Sequence, residues 1–234
     1  MIRFAMMLAL LLPWPAQAGP WPREVGQTFL SFSGERNRAG VGSVSAYAEY
    51  GLTPSTTLGV EINRSSTETG AILWLQHPLD DGQGVNRIAV QSGLGVVRSG
   101  DEFLPLAQAA LSWGRGFERW GGGWMSAQLL ARMTGAPHSE TETPDPGMSA
   151  LFDSILSAER VVKADLTLGL RPRDGLMVIN SLWLEDRQDD GFAARLAPSL
   201  VFDAPGPVKI ELGGIQPLSG PAEQAVRLGT WLEF

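Results

Sequence analysis

The sequence contains no cysteine, only two histidines and two tyrosines, and no apolar run long enough to cross a membrane as a helix. Without cysteine the chain has no disulfides, no thiolate metal sites and no thiol catalysis, so its stability must come from backbone pairing and burial. The two histidines are His77, beside Pro78, and His138, inside His138-Ser139-Glu140. Adjacent side chains point apart, so those three consecutive residues do not form a triad among themselves. There is no GxSxG, HExxH, P-loop or EF-hand pattern. Asp80-Asp81, Asp145 and Asp186 to Asp190 read as solvated turns, with loose binding of divalent cations as the alternative. Positive charge is scarce too: 18 Lys and Arg against 25 Asp and Glu give a net charge of −7, which argues against nucleic acid as a partner. We expect no catalytic residue, metal, cofactor or enzymatic activity.

At the N-terminus, Met1-Ile2-Arg3 supplies one positive charge, Phe4 to Leu12 is unbroken apolar sequence, and Pro13-Trp-Pro leads into Ala16-Gln17-Ala18, a small-x-small cleavage site. This predicts a secretory signal peptide over residues 1–18, because the apolar run falls far short of the roughly 20 residues of a spanning helix. No cysteine follows the cleavage site, so a lipoprotein is excluded. Residues 19–234 are expected to form one domain, with a long loop near 135–160 around His138-Ser-Glu-Thr-Glu-Thr-Pro-Asp-Pro-Gly147.

Beyond residue 18 a two-residue hydrophobic period recurs throughout. Val44, Ala46, Ala48 and Tyr50 share one face of a segment, Leu58, Val60 and Ile62 one face of the next, and Gly51-Leu-Thr-Pro-Ser-Thr56 between them is turn chemistry. In Val162 to Arg171, Val162, Ala164, Leu166, Leu168 and Leu170 alternate with Lys163, Asp165, Thr167, Gly169 and Arg171. A strand of about ten residues, tilted by about 40°, just crosses a bilayer core, whereas a soluble strand typically has five or six. The pattern predicts an all-β chain of twelve strands at about 25–33, 42–51, 56–65, 70–78, 86–98, 103–115, 121–133, 160–171, 175–185, 192–203, 207–216 and 224–234. Ile72-Leu-Trp-Leu75, Ala107 to Leu111 and Leu176 to Ile179 are apolar on both faces, which leaves ten or fourteen strands open. Ser149 to Ala158 groups Leu151, Phe152, Ile155 and Leu156 as a short amphipathic helix would.

The final strand ends Arg227-Leu-Gly-Thr-Trp-Leu-Glu-Phe234. Arg227, Gly229, Leu232 and Phe234 fall on the polar, glycine, hydrophobic and terminal aromatic positions of a C-terminal pattern. Together with the export signal, this chain end resembles a Gram-negative bacterial outer-membrane β-barrel protein of a porin-like or transporter-like kind. The resemblance implies an antiparallel up-and-down transmembrane barrel in the cell outer membrane, with outer-membrane lipid as its surroundings. It also implies that Arg227, Gly229, Leu232 and Phe234 are read by the barrel-assembly machinery. The hairpin from Tyr47 to Ile62 is similar to repeats in uncharacterised proteobacterial barrels and in transporter-like barrels for apolar compounds.

In such a barrel both termini lie in the periplasm, an even strand number follows, and the tight turns Gly51 to Ser55, Pro172 to Asp174 and Asp203 to Gly206 belong on the periplasmic side. The longer connections, such as Gly34 to Val41 and Pro217 to Glu223, belong outside, with Ser65 to Thr69 and Ser99 to Glu102 as short exceptions. Tyr50, Trp113, Phe117, Trp120, Phe202 and Phe234 are expected at the periplasmic ends, and Phe103, Trp183 and Phe192 at the outer ends.

With the apolar face toward lipid, the lumen-facing candidates are Glu49, Glu61, Arg87, Arg132, Lys163, Asp165, Arg171, Arg195, Lys209, Glu211 and Arg227. Both signs occur, and mixed charges in a narrow barrel tend to pair and close it. Glu49 and Glu61 on the first hairpin need a cation, for which Arg227 or Arg87 is in reach across the lumen. The function expected is a narrow passive channel or uptake barrel for an unknown small solute. The alternatives are a structural envelope barrel with a closed lumen and, behind it, an outer-membrane lipid hydrolase.

Overall fold

The computed structural model describes residues 19–66, 68–135, 159–188, 191–221 and 223–234. The expected signal peptide, the expected helix at 149–158, and His138 and Ser139 lie outside the described residues. The strands are β1 Thr28–Asn37, β2 Gly42–Thr53, β3 Thr56–Arg64, β4 Glu68–Pro78, β5 Asn86–Ser99, β6 Glu102–Phe117, β7 Gly123–Thr134, β8 Glu159–Arg173, β9 Leu176–Arg187, β10 Gly191–Asp203, β11 Val208–Ser219 and β12 Ala225–Glu233. Each pairs antiparallel with its sequence neighbour, and β1 pairs with β12, so the sheet closes into a twelve-stranded barrel. Phe29 faces Glu233 and Asn37 faces Ala225 across the closing seam. Beyond the ladder, Thr28 N–H donates to the Phe234 carbonyl at 2.7 Å and Phe234 N–H returns a bond to Thr28 at 3.0 Å.

Alternation decides which way each side chain points. Leu73, Leu94, Phe103, Leu129, Val162 and Leu228 lie on the outer surface, where Leu94 is 74 % exposed and Phe103 69 %. Gln76, Gln91, Gln108, Ser112, Ser181, Ser199 and Glu211 are buried on the inner face. A water-soluble sheet protein has the reverse arrangement; apolar outside and polar inside is what a barrel surrounded by lipid requires.

The interior is not wholly polar. Ile72, Trp74 and Leu106 form one buried cluster, with Tyr47 and Val97 packed against it. Trp124, Met177, Ile179 and Val201 form another, joined by Trp21 and Trp231. These clusters resolve two of the three segments that read as apolar on both faces, Ile72 to Leu75 and Leu176 to Ile179, while in the third Gln108 and Ala110 are buried inside and Leu111 is exposed outside. Both tryptophans at the cluster centres sit directly opposite a glycine, Trp74 across from Gly59 and Trp124 across from Gly169. A Cβ on Gly59 would lie 2.0 Å from the Trp74 ring, and one on Gly169 would lie 2.3 Å from the Trp124 ring.

Turn lengths segregate less cleanly than the sequence suggests. At the end of the barrel that carries the termini, β8 and β9 are joined by Asp174 and Gly175 alone, yet residues 79–85 form a longer connection between β4 and β5. There Asp80 accepts backbone N–H bonds from Gly82 at 2.9 Å and Ile88 at 2.6 Å, and Arg87 lies 3.5 Å from its carboxylate. The connection is stitched to the strand that follows it.

Candidate functional site

The barrel interior holds two cavities in series, of about 460 Å³ toward the end opposite the termini and about 410 Å³ toward the terminal end. Ser45, Glu61, Asp165, Trp183 and Arg227 line both, and so form the waist between them.

Charged side chains converge here because every second residue of every strand points inward. On one side, Arg227 pairs with Glu35 at 3.0 Å and approaches Glu211 at 3.6 Å, while Glu211 also accepts from the Trp231 indole at 3.1 Å. On the opposite arc, Glu185 gathers Lys163 at 3.0 Å, Arg187 at 3.0 Å and Arg195 at 3.3 Å. Arg187 reaches Glu159 as well. The guanidinium groups of Arg195 and Arg227 lie 5.8 and 5.7 Å from the Trp183 ring, within cation–π reach. Their Nε atoms are buried without a hydrogen-bond acceptor. Trp183 therefore stands inside the lumen rather than at an outer interface, because on β9 it has the same parity as Ser181 and Glu185.

Beside these paired groups are charges without an ionic partner among the described residues. Glu61 accepts one bond, from the Asn63 amide at 2.5 Å. Arg132 donates to the Gln108 side chain at 2.8 and 3.3 Å. Asp165 forms no ion pair, although the charges of Lys163 and Arg195 act on it.

At the terminal end, a segment outside the strand pattern packs into the barrel. Gly19 to Arg23 enters the barrel instead of running along its rim. Pro20 is fully buried, and Gly114 on β6 receives both Pro20 and Trp21, since a Cβ there would meet their side chains at 2.8 and 2.5 Å. The Gly19 carbonyl accepts from Gln76 on β4 at 3.3 Å, and Trp21 packs on the Trp124 cluster. Arg23, 5 % exposed, anchors the segment. Its guanidinium pairs with Glu49 on β2 and with Glu233 on β12, the latter at 3.0 Å, and lies 4.6 Å from the Phe29 ring. Its backbone N–H donates to Thr57 on β3 at 2.9 Å. Tyr47 supplies Glu49 with a further bond.

This changes the expected pairing of the first hairpin. Glu49 faces Gly59 and Glu61 faces Tyr47, so the two carboxylates are not directly opposed. The cation that Glu49 takes is Arg23, not Arg227 or Arg87. Arg87 lies at the rim, where it donates to the carbonyls of Gly82 and Gly84 and meets Asp80. Lys209 likewise bonds Asp203 at 2.6 Å near the barrel end, and Arg171 lies 5.0 Å from the Trp124 ring. Neither lines the two cavities. Of the remaining candidates, Glu61, Arg132, Lys163, Asp165, Arg195 and Arg227 meet in the outer cavity, and Glu49 and Glu211 in the inner one.

Arg23 was hidden because Pro20 and Pro22 keep residues 19–23 out of any strand pattern. The signal for it was electrostatic: two inward carboxylates on one hairpin require a cation. Among the described residues no cluster of three or more His, Asp or Glu side chains suits a metal ion. His77 is held at a strand end by Thr56 Oγ1 at 3.2 Å and the Ser55 carbonyl at 3.1 Å.

The sequence matches no protein-family model and no curated protein. Solved structures with a similar fold include the NanC porin, with a TM-score of 0.60 and 11 % identity over 88 % of this chain and 100 % of that one. The KdgM porin gives 0.56 and 8 % identity over 88 % and 99 %. The COG4313 outer membrane channel from Pseudomonas putida F1 gives 0.58 and 12 % identity over 95 % and 100 %. At such identities the likeness shows the fold, that of the closed outer-membrane barrels.

Proposed function

We propose that this chain is an outer-membrane channel for small polar solutes, with the described state closed at its inner mouth by its own residues 19–23. The observation that carries the reading is a lumen with two cavities that share a charged waist, inside a barrel whose outer surface is apolar. A barrel that served only as structure would gain by filling its lumen with well-packed apolar side chains, because buried ion pairs are weak stabilisers. The termini then face the periplasm, and the segment from Pro20 to Arg23 is the stopper on that side.

A structural barrel with a closed lumen is the second reading, and the Arg23 clamp to Glu49 and Glu233 is the observation that favours it. The two separate in a swelling assay on liposomes containing the folded chain. The channel reading expects swelling rates that fall with the size of an uncharged polar solute and rise when Arg23→Ala releases the stopper. A closed barrel gives no swelling with either protein.

A further inference from the structure

The outer cavity has an unusual charge balance. Its lining carries five carboxylates and five cationic side chains, so its formal charge is zero. Part of this charge is paired internally, Arg227 with Glu35, and Lys163 and Arg195 with the one carboxylate of Glu185. Among the described residues, the Glu61 carboxylate on β3 and the Arg132 guanidinium on β7 form no ion pair, and each is bonded only to a neutral amide side chain, while Arg64 and Glu68 sit exposed at the rim of the same cavity. Glu61 and Arg132 stand on strands four apart in a twelve-stranded ring and line the same cavity. Asp165, also without an ion pair, adds a second negative group on the waist beside Glu61.

We propose that this cavity is a binding site for a small zwitterionic solute, one bearing a protonated amine and a carboxylate on the same molecule. Glu61, supported by Asp165, receives the ammonium end, and Arg132 receives the carboxylate. Three features of the cavity favour that class over others. A net anion or cation would satisfy one pole and face the other with a like charge, which disfavours it. An uncharged solute would displace water from both charged groups and return hydrogen bonds ionised on one side only, without the ion pair that a zwitterion forms at each pole. A zwitterion returns a charge-assisted bond at each pole and keeps the cavity neutral. The indole of Trp183, with Arg195 and Arg227 within cation–π reach of it, lines the cavity at the waist and serves as a reporter of occupancy.

This inference rests on the lumen being accessible, as the channel reading requires, but it concerns binding and can be tested without transport. The probes are glycylglycine, a zwitterion, and three relatives of similar size: N-acetylglycinamide, which is uncharged; N-acetylglycine, an anion; and glycylglycinamide, a cation. Each is titrated into the folded, detergent-solubilised chain, and the readout is the part of the tryptophan fluorescence that Trp183→Phe removes. Glycylglycine should bind at least about tenfold more tightly than each relative, the difference one charge-assisted hydrogen bond supplies. Glu61→Gln and Arg132→Gln should each abolish that preference. Retained heat-modifiable migration on a denaturing gel verifies that the variants fold. Equal binding of all four probes, or binding of none, overturns the inference. Solute-independent swelling of liposomes alongside equal binding would leave the channel reading standing and remove only the zwitterion site. Selective binding without swelling would do the opposite.

Discussion

Arg23 shows how one residue outside the regular pattern governs the terminal end of the barrel. Its charge is shared by Glu49 and Glu233, and removing it leaves Glu49, only 7 % exposed, without a cation. Loss of one partner of a buried pair costs about 3–5 kcal/mol where water cannot follow. Here the lumen adjoins the site, so in Arg23→Ala the stopper should leave and water should reach Glu49, giving a small loss of stability and a large gain in permeability. Gly114→Val tests the same docking site without touching a charge, because the new side chain occupies the space of Pro20 and Trp21. It should raise permeability as Arg23→Ala does. Gly59 and Gly169 are packing positions of another kind, and Gly59→Val or Gly169→Val should lower the temperature at which the folded band converts on a denaturing gel, by a strain of about 1–3 kcal/mol. An unchanged conversion temperature would contradict the Trp–Gly packing. At the rim, burial alone would raise the Asp80 carboxyl, but the backbone N–H groups of Ile88 and Gly82 and the charge of Arg87 outweigh it and hold the carboxyl below its ordinary range. A group depressed on folding stabilises above its unfolded value, and that stabilisation disappears as pH falls through the folded value. The protection factors of the Gly82 and Ile88 amides against hydrogen exchange should therefore fall on acidification in the wild type, and should be low and nearly independent of this titration in Asp80→Asn.

Every strand was legible at the level of the element, because period-two alternation over nine or more residues has few competing explanations. All twelve predicted strands occur, with boundaries displaced by at most a few residues. The strand predicted from residue 25 begins at Thr28 and runs on to Asn37, since Glu24 to Gln27 turn back against Gly51. Misreadings arose where a residue's role depends on a neighbour distant in sequence. Trp183 has the parity of the lumen, but its place near a strand end suggested an interface. The ladder between β10 and β11 shifts register between Ala194 and Arg195, where Pro217, which lacks an N–H, stands opposite Arg195. On the last strand, Phe234 contributes to closure through its backbone while its ring is 65 % exposed. If the terminal aromatic is read during assembly, Phe234→Ala should sharply reduce the folded fraction recovered from membranes. It should leave the thermal stability of the barrel that does fold unchanged. Equal recovery would remove the assembly role proposed for Arg227, Gly229, Leu232 and Phe234.

For the whole molecule, the sequence carried the inside-out character of the fold but not the state of the lumen. Whether a charged interior is open depends on which side chains pair across it, and pairing between strands far apart in sequence is set by barrel closure and by the segment that enters the mouth. The account joins three statements: the apolar face meets lipid, the lumen is a solute path, and residues 19–23 close its inner end. Single-channel recording in planar bilayers addresses all three together, comparing the wild-type chain with Arg23→Ala and Gly114→Val after heat-modifiable migration has verified folding. The account predicts small or infrequent conductance steps from the wild type and larger, longer-lived steps from both variants. The absence of steps from all three proteins after verified insertion, or identical conductance in all three, would contradict it.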